Sequence, residues 1–126
     1  MAPEGSAQPA LTSTDPEIDP IAAMCTGVVE RRTEGTDAFI MMEGLRINVR
    51  GTVHQRDALL CLNPRDGYPT KLYLSERVPH GGKHAPNWNA SLYYILGRKW
   101  HSWSWRDVPA KQPSASILAD HLEAFT

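Results

Sequence analysis

The sequence predicts an α+β fold in which an antiparallel meander sheet is followed by one C-terminal helix. Short apolar runs alternate with turn residues between residues 26 and 78, which is typical of consecutive strands. From residue 114 onward the apolar residues recur at helical spacing instead. Strands that come first and a helix that comes last favour a two-layer α+β domain, with the helix on one face of the sheet.

The first 20 residues predict a disordered tail. They are rich in Pro, Ala, Thr and acidic residues, and they show no periodic apolar face. Such a segment cannot bury enough apolar surface to offset the entropy lost when it becomes ordered. We therefore expect one folded domain over residues 21–126, a length that can bury its own core.

Four segments predict the strands of the meander. They are residues 26–33, 38–49, 57–64 and 70–78. In the second segment Leu45, Ile47 and Val49 alternate with polar residues, which indicates a half-buried strand. The third segment reads DALLCLNP, and its continuous apolar run favours a buried central strand.

The remaining residues predict an irregular stretch, two short aromatic segments and the helix. Residues 78–89, VPHGGKHAPNWN, contain Pro, Gly and Asn residues that interrupt regular elements. SLYYIL follows, and WHSWSW then alternates Trp with polar residues, so we expect its three rings on one face of an extended segment. Ser114 is the expected N-cap of the last helix. The residues at helical spacing are Ile117, Leu118, His121, Leu122 and Phe125.

Composition and charge exclude several classes of protein. The net charge is −1, which argues against a broad nucleic-acid footprint or a polybasic membrane patch. No apolar run approaches the ~20 residues that span a bilayer, and the N-terminus lacks the features of a signal peptide. We therefore expect a cytoplasmic protein without a membrane partner. Cys25 and Cys61 are expected to be reduced, buried thiols rather than a disulfide.

Two further kinds of site remain open on the sequence alone. Trp rings flanked by Lys99 and Arg106 could stack on single-stranded nucleic acid, but the near-neutral charge favours core and rim positions for them. His80 and His84, with Cys61, have the donor types of a zinc site. Two glycines between the histidines argue against a helix that would present both on one face, so we expect neither a metal nor another cofactor.

An ordered set of short motifs resembles the ubiquitin-conjugating enzyme fold. LLCLNPRDGYPTKLYL is similar to that family's strand, Tyr-Pro turn and strand, and Tyr68-Pro69 matches the Tyr-Pro element. HAPN at residues 84–87 resembles its His-Pro-Asn signature, with one alanine inserted. Ile95-Leu96, followed by Trp100 or by Trp103-Ser104, resembles its Ile-Leu and Trp-Ser elements, and a helix comes next.

The resemblance is closer to a bacterial branch of this family. Members of that branch have a GYP turn and a Trp-rich segment of the form W..WSW, and both are present here. They are encoded beside ubiquitin-like proteins, activating enzymes and JAB-type metal peptidases. The resemblance covers roughly residues 26–125, and it implies a ubiquitin-conjugating (UBC)-like domain whose N-terminal helix is short or absent.

The resemblance implies a nucleophile at Ser91. Counting back from Ile95-Leu96 places the family's cysteine at Ser91 or Leu92, and the family's cysteine is commonly followed by Leu. Thioester transfer needs a thiolate that attacks an activated carbonyl. Neither cysteine of this chain stands at that position, so the chain is either a Cys-to-Ser form or a natural variant that kept a binding role.

Three further residues complete the implied site. Asn87 matches the family's amide donor to the oxyanion that forms when an amine attacks the thioester, although Asn89 is an alternative because the inserted alanine blurs the register. His84 is expected to order the irregular stretch of residues 78–89, which corresponds to the flap of that family, through hydrogen bonds. His101 could deprotonate an incoming lysine, or lie on the outer side of the Trp-rich strand.

The resemblance therefore implies two functions of different kinds. In the first, the chain accepts a ubiquitin-like protein from its activating enzyme as a thioester and transfers it to a lysine of a protein substrate, in a bacterial antiphage conjugation system. In the second, the chain is a non-catalytic adaptor that binds the activating enzyme or the ubiquitin-like protein. Only the first predicts a thioester when position 91 is Cys.

Overall fold

The computed structural model describes residues 15–126, and residues 1–14 of the expected tail lie outside the described residues. The described chain contains the helices α1 (Asp19–Ala22) and α2 (Ser114–Leu122) and ends in a 3₁₀ turn, Glu123–Phe125. Its strands are β1 (Val29–Glu34), β2 (Asp37–Val49), β3 (Thr52–Cys61), β4 (Lys71–Leu74), β5 (Asn87–Trp88), β6 (Tyr93–Ile95), β7 (Arg98–Trp100) and β8 (Trp103–Ser104).

The first four strands form an antiparallel meander in the order β1-β2-β3-β4. Together with the C-terminal α2, this confirms the predicted α+β class with its antiparallel sheet and final helix. Two-residue turns join the first three strands, because Glu34 pairs with Asp37 and Val49 with Thr52. Such short turns twist in the same sense as the strands that they connect, and they fix the register.

A β-bulge interrupts β2 where its pairing with β3 shifts between Met42 and Leu45. Gly44 lies in the bulge at φ +67°, and a Cβ there would lie 1.9 Å from Thr26 Oγ1. Only glycine fits this conformation and this approach. The Gly44 amide donates to Asp57 Oδ1 at 3.0 Å, which ties the bulge to β3.

Each face of the sheet carries its own apolar cluster. The larger one packs the sheet against α2 and includes Ile40, Leu60 and Leu72. The smaller one lies on the opposite face and is covered by the β6–β7 hairpin; it consists of Phe39, Leu59, Cys61, Tyr73, Ile95 and Trp100. Successive strand residues point to opposite faces, so the continuous apolar run in β3 serves both clusters.

The Trp-rich segment does not present its rings on one face, contrary to expectation. Trp100 belongs to the smaller cluster and Trp103 to the larger one, and both are buried. Three positions separate them, and an odd separation reverses the face in extended chain. Of the three rings of this segment, those of Trp103 and Trp105 are on the helix side, where Trp105 Nε1 donates to Asp120 O at 3.0 Å.

Ser114 is the first residue of α2 rather than its N-cap, so that prediction is wrong. Pro113 precedes the helix and has no side-chain oxygen that could cap it. A distant carboxylate replaces the cap, because the Ser114 amide and hydroxyl both donate to Glu17 Oε1, at 2.9 and 2.7 Å. A long-range partner of this kind leaves no local sequence pattern.

Residues 15–20, which were assigned to the tail, contact the domain. Ile18 is buried in the larger cluster. Asp15 pairs with Arg31 of β1, with Oδ2 2.8 Å from Nε. The expected boundary at Ile21 therefore falls inside α1. No helix among residues 15–126 is long and apolar enough to cross a membrane.

Candidate functional site

The flap, residues 78–89, is held against the C-terminal end of the described chain. The Lys83 amide donates to Thr126 O at 3.1 Å, and the ring of Trp88 stacks on that of Phe125 at 5.9 Å. A Cβ on Gly81 would lie 2.5 Å from Phe125 O, so this approach requires glycine. Phe125 and Thr126 thus hold the flap in place next to the predicted site.

Asn89 is the most firmly held polar residue of the flap. Its amide donates to Ser102 O at 2.9 Å, and its side-chain Oδ1 accepts from the Tyr93 hydroxyl at 2.8 Å. Its Nδ2 faces Ser104 Oγ at 3.5 Å. The Asn89 side chain is therefore held at both ends, by Tyr93 at its oxygen and by Ser104 at its nitrogen.

Asn87 is exposed by comparison. It pairs through its backbone with Ser104 in the small β5–β8 ladder. No hydrogen bond joins its side chain to another residue of the described chain. Of the two asparagines that the sequence left open as oxyanion donors, Asn89 is therefore the one whose amide the structure orients.

Ser91 follows Asn89 by two residues and is exposed. Its hydroxyl has no hydrogen-bond partner within residues 15–126, so no described base activates it. Leu92 and Tyr94, which come next, are 46% and 68% exposed and are two of the four large exposed apolar residues of the described chain. The predicted nucleophile position thus lies beside an exposed apolar surface.

Each of the two predicted histidines contacts a tryptophan ring. The ring of His84 meets that of Trp105 edge-on, with centroids 5.2 Å apart. His101 exchanges backbone hydrogen bonds with Leu74, at 2.7 and 2.8 Å, and thereby joins the segment to β4. Its ring lies edge-on to Trp88 at 6.4 Å, and its Nδ1 is buried without a hydrogen-bond partner among the described residues.

The four predicted site residues therefore do not form a hydrogen-bonded constellation. No hydrogen bond within the described chain joins Ser91, Asn87, His84 and His101 to one another. They are spread over residues 84–101, and their chemical roles stay predictions.

Both cysteines are free and buried, as the sequence predicts. Burial raises the pKa of the Cys25 thiol to about 11, although Arg46 acts in the opposite direction. Burial also raises the pKa of Cys61, whose Sγ lies 3.3 Å from Asn63 O. A protonated and buried thiol is a poor nucleophile, so neither cysteine offers an activated thiolate in the folded chain.

A buried polar cluster beneath the Tyr-Pro turn was not predicted. Lys71 is 3% exposed; its Nζ donates to Trp103 O at 3.2 Å and lies 4.2 Å from the centroid of the Tyr68 ring. Desolvation lowers the pKa of this ammonium, against the attraction of Asp66. Lys71 begins a strand of four buried residues, and nothing in KLYL distinguishes a buried lysine from an exposed one.

His121 of α2 belongs to the same cluster. Its Nε2 lies 2.9 Å from Thr70 Oγ1, and that hydroxyl also donates to Val108 O at 2.7 Å. Burial, together with Lys71 and Arg106, lowers the pKa of His121 to about 4. The ring is therefore neutral at physiological pH and serves as a structural hydrogen-bond partner.

The described residues contain no group of three or more His, Cys, Asp or Glu side chains that could hold a metal ion. His80, His84 and Cys61 accordingly form no such group. Comparison with known proteins adds no relative: no protein-family model matches the chain, and no curated protein or solved structure is significantly similar to it.

Proposed function

We propose that this chain is a UBC-like domain of a bacterial ubiquitin-like conjugation system, and that it acts there as an adaptor which binds the ubiquitin-like protein or its activating enzyme. The antiparallel meander, the Tyr68-Pro69 dipeptide, the long flap and the C-terminal helix occur in the order that this family would require. The motif resemblance and this element order together support the family part of the proposal.

One observation favours binding over transfer. Both thiols of the chain are buried and carry raised pKa values, and the exposed Ser91 has no hydrogen-bonded base within the described chain. A plain hydroxyl without a base is a weak nucleophile. In this form the described chain therefore has no activated nucleophile, which favours a binding role.

The exposed side chains of Leu92 and Tyr94, which follow Ser91, are the surface that we expect to contact the partner protein. Leu92 and Tyr94 project from a flap and hairpin that are anchored by Asn89 and Trp100, so they need little reordering on binding. Exposed apolar side chains on a preorganised element are typical of recognition surfaces. We assign the partner contact to this surface.

A binding titration tests the proposal. The ubiquitin-like protein and the activating enzyme encoded by neighbouring genes are titrated against immobilised full-length chain by biolayer interferometry. We expect one of them to bind and the Leu92→Asp and Tyr94→Asp variants to weaken it by at least about tenfold, the loss typical of a contact residue that carries binding energy.

The matched control is Val53→Asp, because Val53 is 53% exposed at the start of β3 and lies outside the flap and its hairpin. This variant is expected to bind like the wild type. If neither partner binds, or if Val53→Asp weakens binding as much as Leu92→Asp does, the assignment of this surface is wrong.

The transfer function is the second candidate, and the exposure of Ser91 favours it. A Ser91→Cys variant is incubated with the activating enzyme, the ubiquitin-like protein and ATP, and its intact mass is measured. The thiolate introduced at position 91 would displace AMP from the activated C-terminus, so the expected mass increase is that of the ubiquitin-like protein less one water. If dithiothreitol reverses this increase, a thioester is established, and Cys-dependent transfer would then replace the adaptor function. Loading that persists after reduction would indicate a bond to another residue.

A further inference from the structure

The outer edge of β1 has no strand beside it in the described chain. β1 is the first strand in the order β1-β2-β3-β4, and its other side is unpaired among residues 15–126. Five of its six residues are exposed. An edge strand offers a row of free N–H and C=O groups, which is a template for pairing with another strand.

The turn after β1 determines which of its residues point outward. A two-residue hairpin closes on a hydrogen-bonded pair, here Glu34 with Asp37, and hydrogen-bonded pairs then alternate along the ladder. Glu30, Arg32 and Glu34 therefore direct their backbone groups toward β2. The outward groups belong to Val29, Arg31 and Thr33.

We propose that the chain forms a homodimer in which β1 pairs antiparallel with β1 of a second copy, centred on Arg31. In this register the outward residues meet one another, because Val29 faces Thr33 and Arg31 faces Arg31. The side chains in between become complementary, since each Glu30 faces an Arg32 of the second copy. Opposite charges directly across an antiparallel pair are favourable.

The neighbouring registers are disfavoured by charge. Residues whose backbone groups point outward can form hydrogen-bonded pairs only with outward residues of the second copy. The nearest alternative registers are therefore centred on residue 30 or on residue 32. The first places Glu30 opposite Glu30 of the second copy. The second places Arg32 opposite Arg32 and Glu30 opposite Glu34. Like charges directly opposite are destabilising. Within each chain Arg32 Nη1 lies 3.5 Å from Glu30 Oε2, and only the centre at Arg31 places both members of this ion pair opposite a residue of opposite charge in the second copy, so that centre is selected.

The central pair of arginines is already neutralised within each chain. Arg31 Nε lies 2.8 Å from Asp15 Oδ2, and Nη2 lies 3.2 Å from Oδ1, which is a two-point ion pair. Arg31 pairs across the sheet with Ile40 of the larger cluster, so it lies on the helix side. The two Glu30–Arg32 pairs lie on the opposite face, away from it.

The same register covers an exposed apolar side chain. Val28 precedes β1, is 57% exposed, and comes opposite Glu34 of the second copy. Glu34 accepts a hydrogen bond from the Leu96 amide at 2.9 Å, so the hairpin tip lies next to it. Val28 of one copy would therefore reach the hairpin tip of the other. This inference does not depend on the proposed function.

Sedimentation equilibrium of the full-length chain tests the dimer through charge reversal. We expect a concentration-dependent mass that approaches twice 14.0 kDa in the range of about 100 μM, because an edge contact this small is typical of weak association. Glu30→Arg and Arg32→Glu should each be monomeric at that concentration, because each creates like-charge pairs. The double variant should regain the dimer.

Two controls separate the edge from other causes. Lys111→Glu reverses an exposed charge elsewhere and should dimerise like the wild type. Thr33→Pro removes an outward N–H group without removing a hydrogen bond to β2. This variant should be folded by circular dichroism and monomeric by sedimentation equilibrium. Any of three results would overturn the proposal. The wild type stays monomeric at about 500 μM, the dimer survives both single charge reversals, or the double variant is folded but stays monomeric.

Discussion

The neutral His121 predicts a specific loss of stability in mild acid. The ring is 3% exposed and its pKa falls to about 4 from an ordinary value of 6.5, because burial, Lys71 and Arg106 all oppose its positive charge. The Thr70 hydroxyl donates its hydrogen to Val108 O, so the Nε2–H group of His121 is the donor to Thr70 Oγ1. Protonation at Nδ1 would place a charge in this cluster.

The sign and size follow from proton linkage. Between about pH 6.5 and pH 4 the unfolded chain binds a proton at His121 that the folded chain does not, so the free energy of unfolding falls as the pH falls. The full effect of this pKa difference is about 3 kcal/mol, of which about 2.5 kcal/mol appears between pH 7.5 and pH 4.5.

Urea unfolding across that pH range measures the effect. His121→Gln removes the titrating group and keeps an amide that can donate to Thr70, so its free energy of unfolding should lose most of the pH dependence. His80→Gln changes an exposed histidine and should follow the wild type. The carboxylates of Glu17 and Glu123, whose pKa values are lowered by hydrogen bonds, act below about pH 4.5. If His121→Gln is as steep as the wild type, the buried neutral ring is not the cause.

Three further results are expected. Cys25 and Cys61 should not react with Ellman's reagent in the native state at pH 8 but should both react in urea; rapid labelling of the native chain would contradict their burial. Gly81→Ala should destabilise the chain by about 1–3 kcal/mol in urea unfolding, since its Cβ would overlap Phe125 O; an unchanged midpoint would mean that the flap is not held there. Glu17→Gln should lower the melting temperature by weakening the two hydrogen bonds to Ser114, and an unchanged melting temperature would show that α2 does not depend on this cap.

The sheet was predictable because its signal is local. The alternation of Leu45, Ile47 and Val49 with polar residues fixes which face of β2 is buried, and turn residues mark where strands end. The same alternation places Trp100 and Trp103 on opposite faces, a consequence that the apparent regularity of WHSWSW conceals.

The helix start was mispredicted because its cap is not local. Ser114 has the sequence signature of an N-cap, but the acceptor for its amide comes from Glu17, which is 97 residues away. Lys71 was missed for a related reason. Its burial depends on Tyr68 and on the carbonyl of Trp103, which only the folded chain brings together. Periodicity reports the face of a residue and not the partners that it meets there.

In the candidate site, too, the sequence identifies the types of residue, whereas only the structure shows how their side chains are held. The sequence identifies a flap with two asparagines, and the motif resemblance selects Asn87. The structure orients Asn89 instead, because Tyr93 fixes its amide and Ser102 fixes its backbone. An oxyanion donor acts only if it is preorganised, so orientation is the more direct physical criterion. If Ser91→Cys forms a thioester, Asn89→Ala should slow its discharge to lysine more than Asn87→Ala does, and the reverse order would restore the assignment made from the motif.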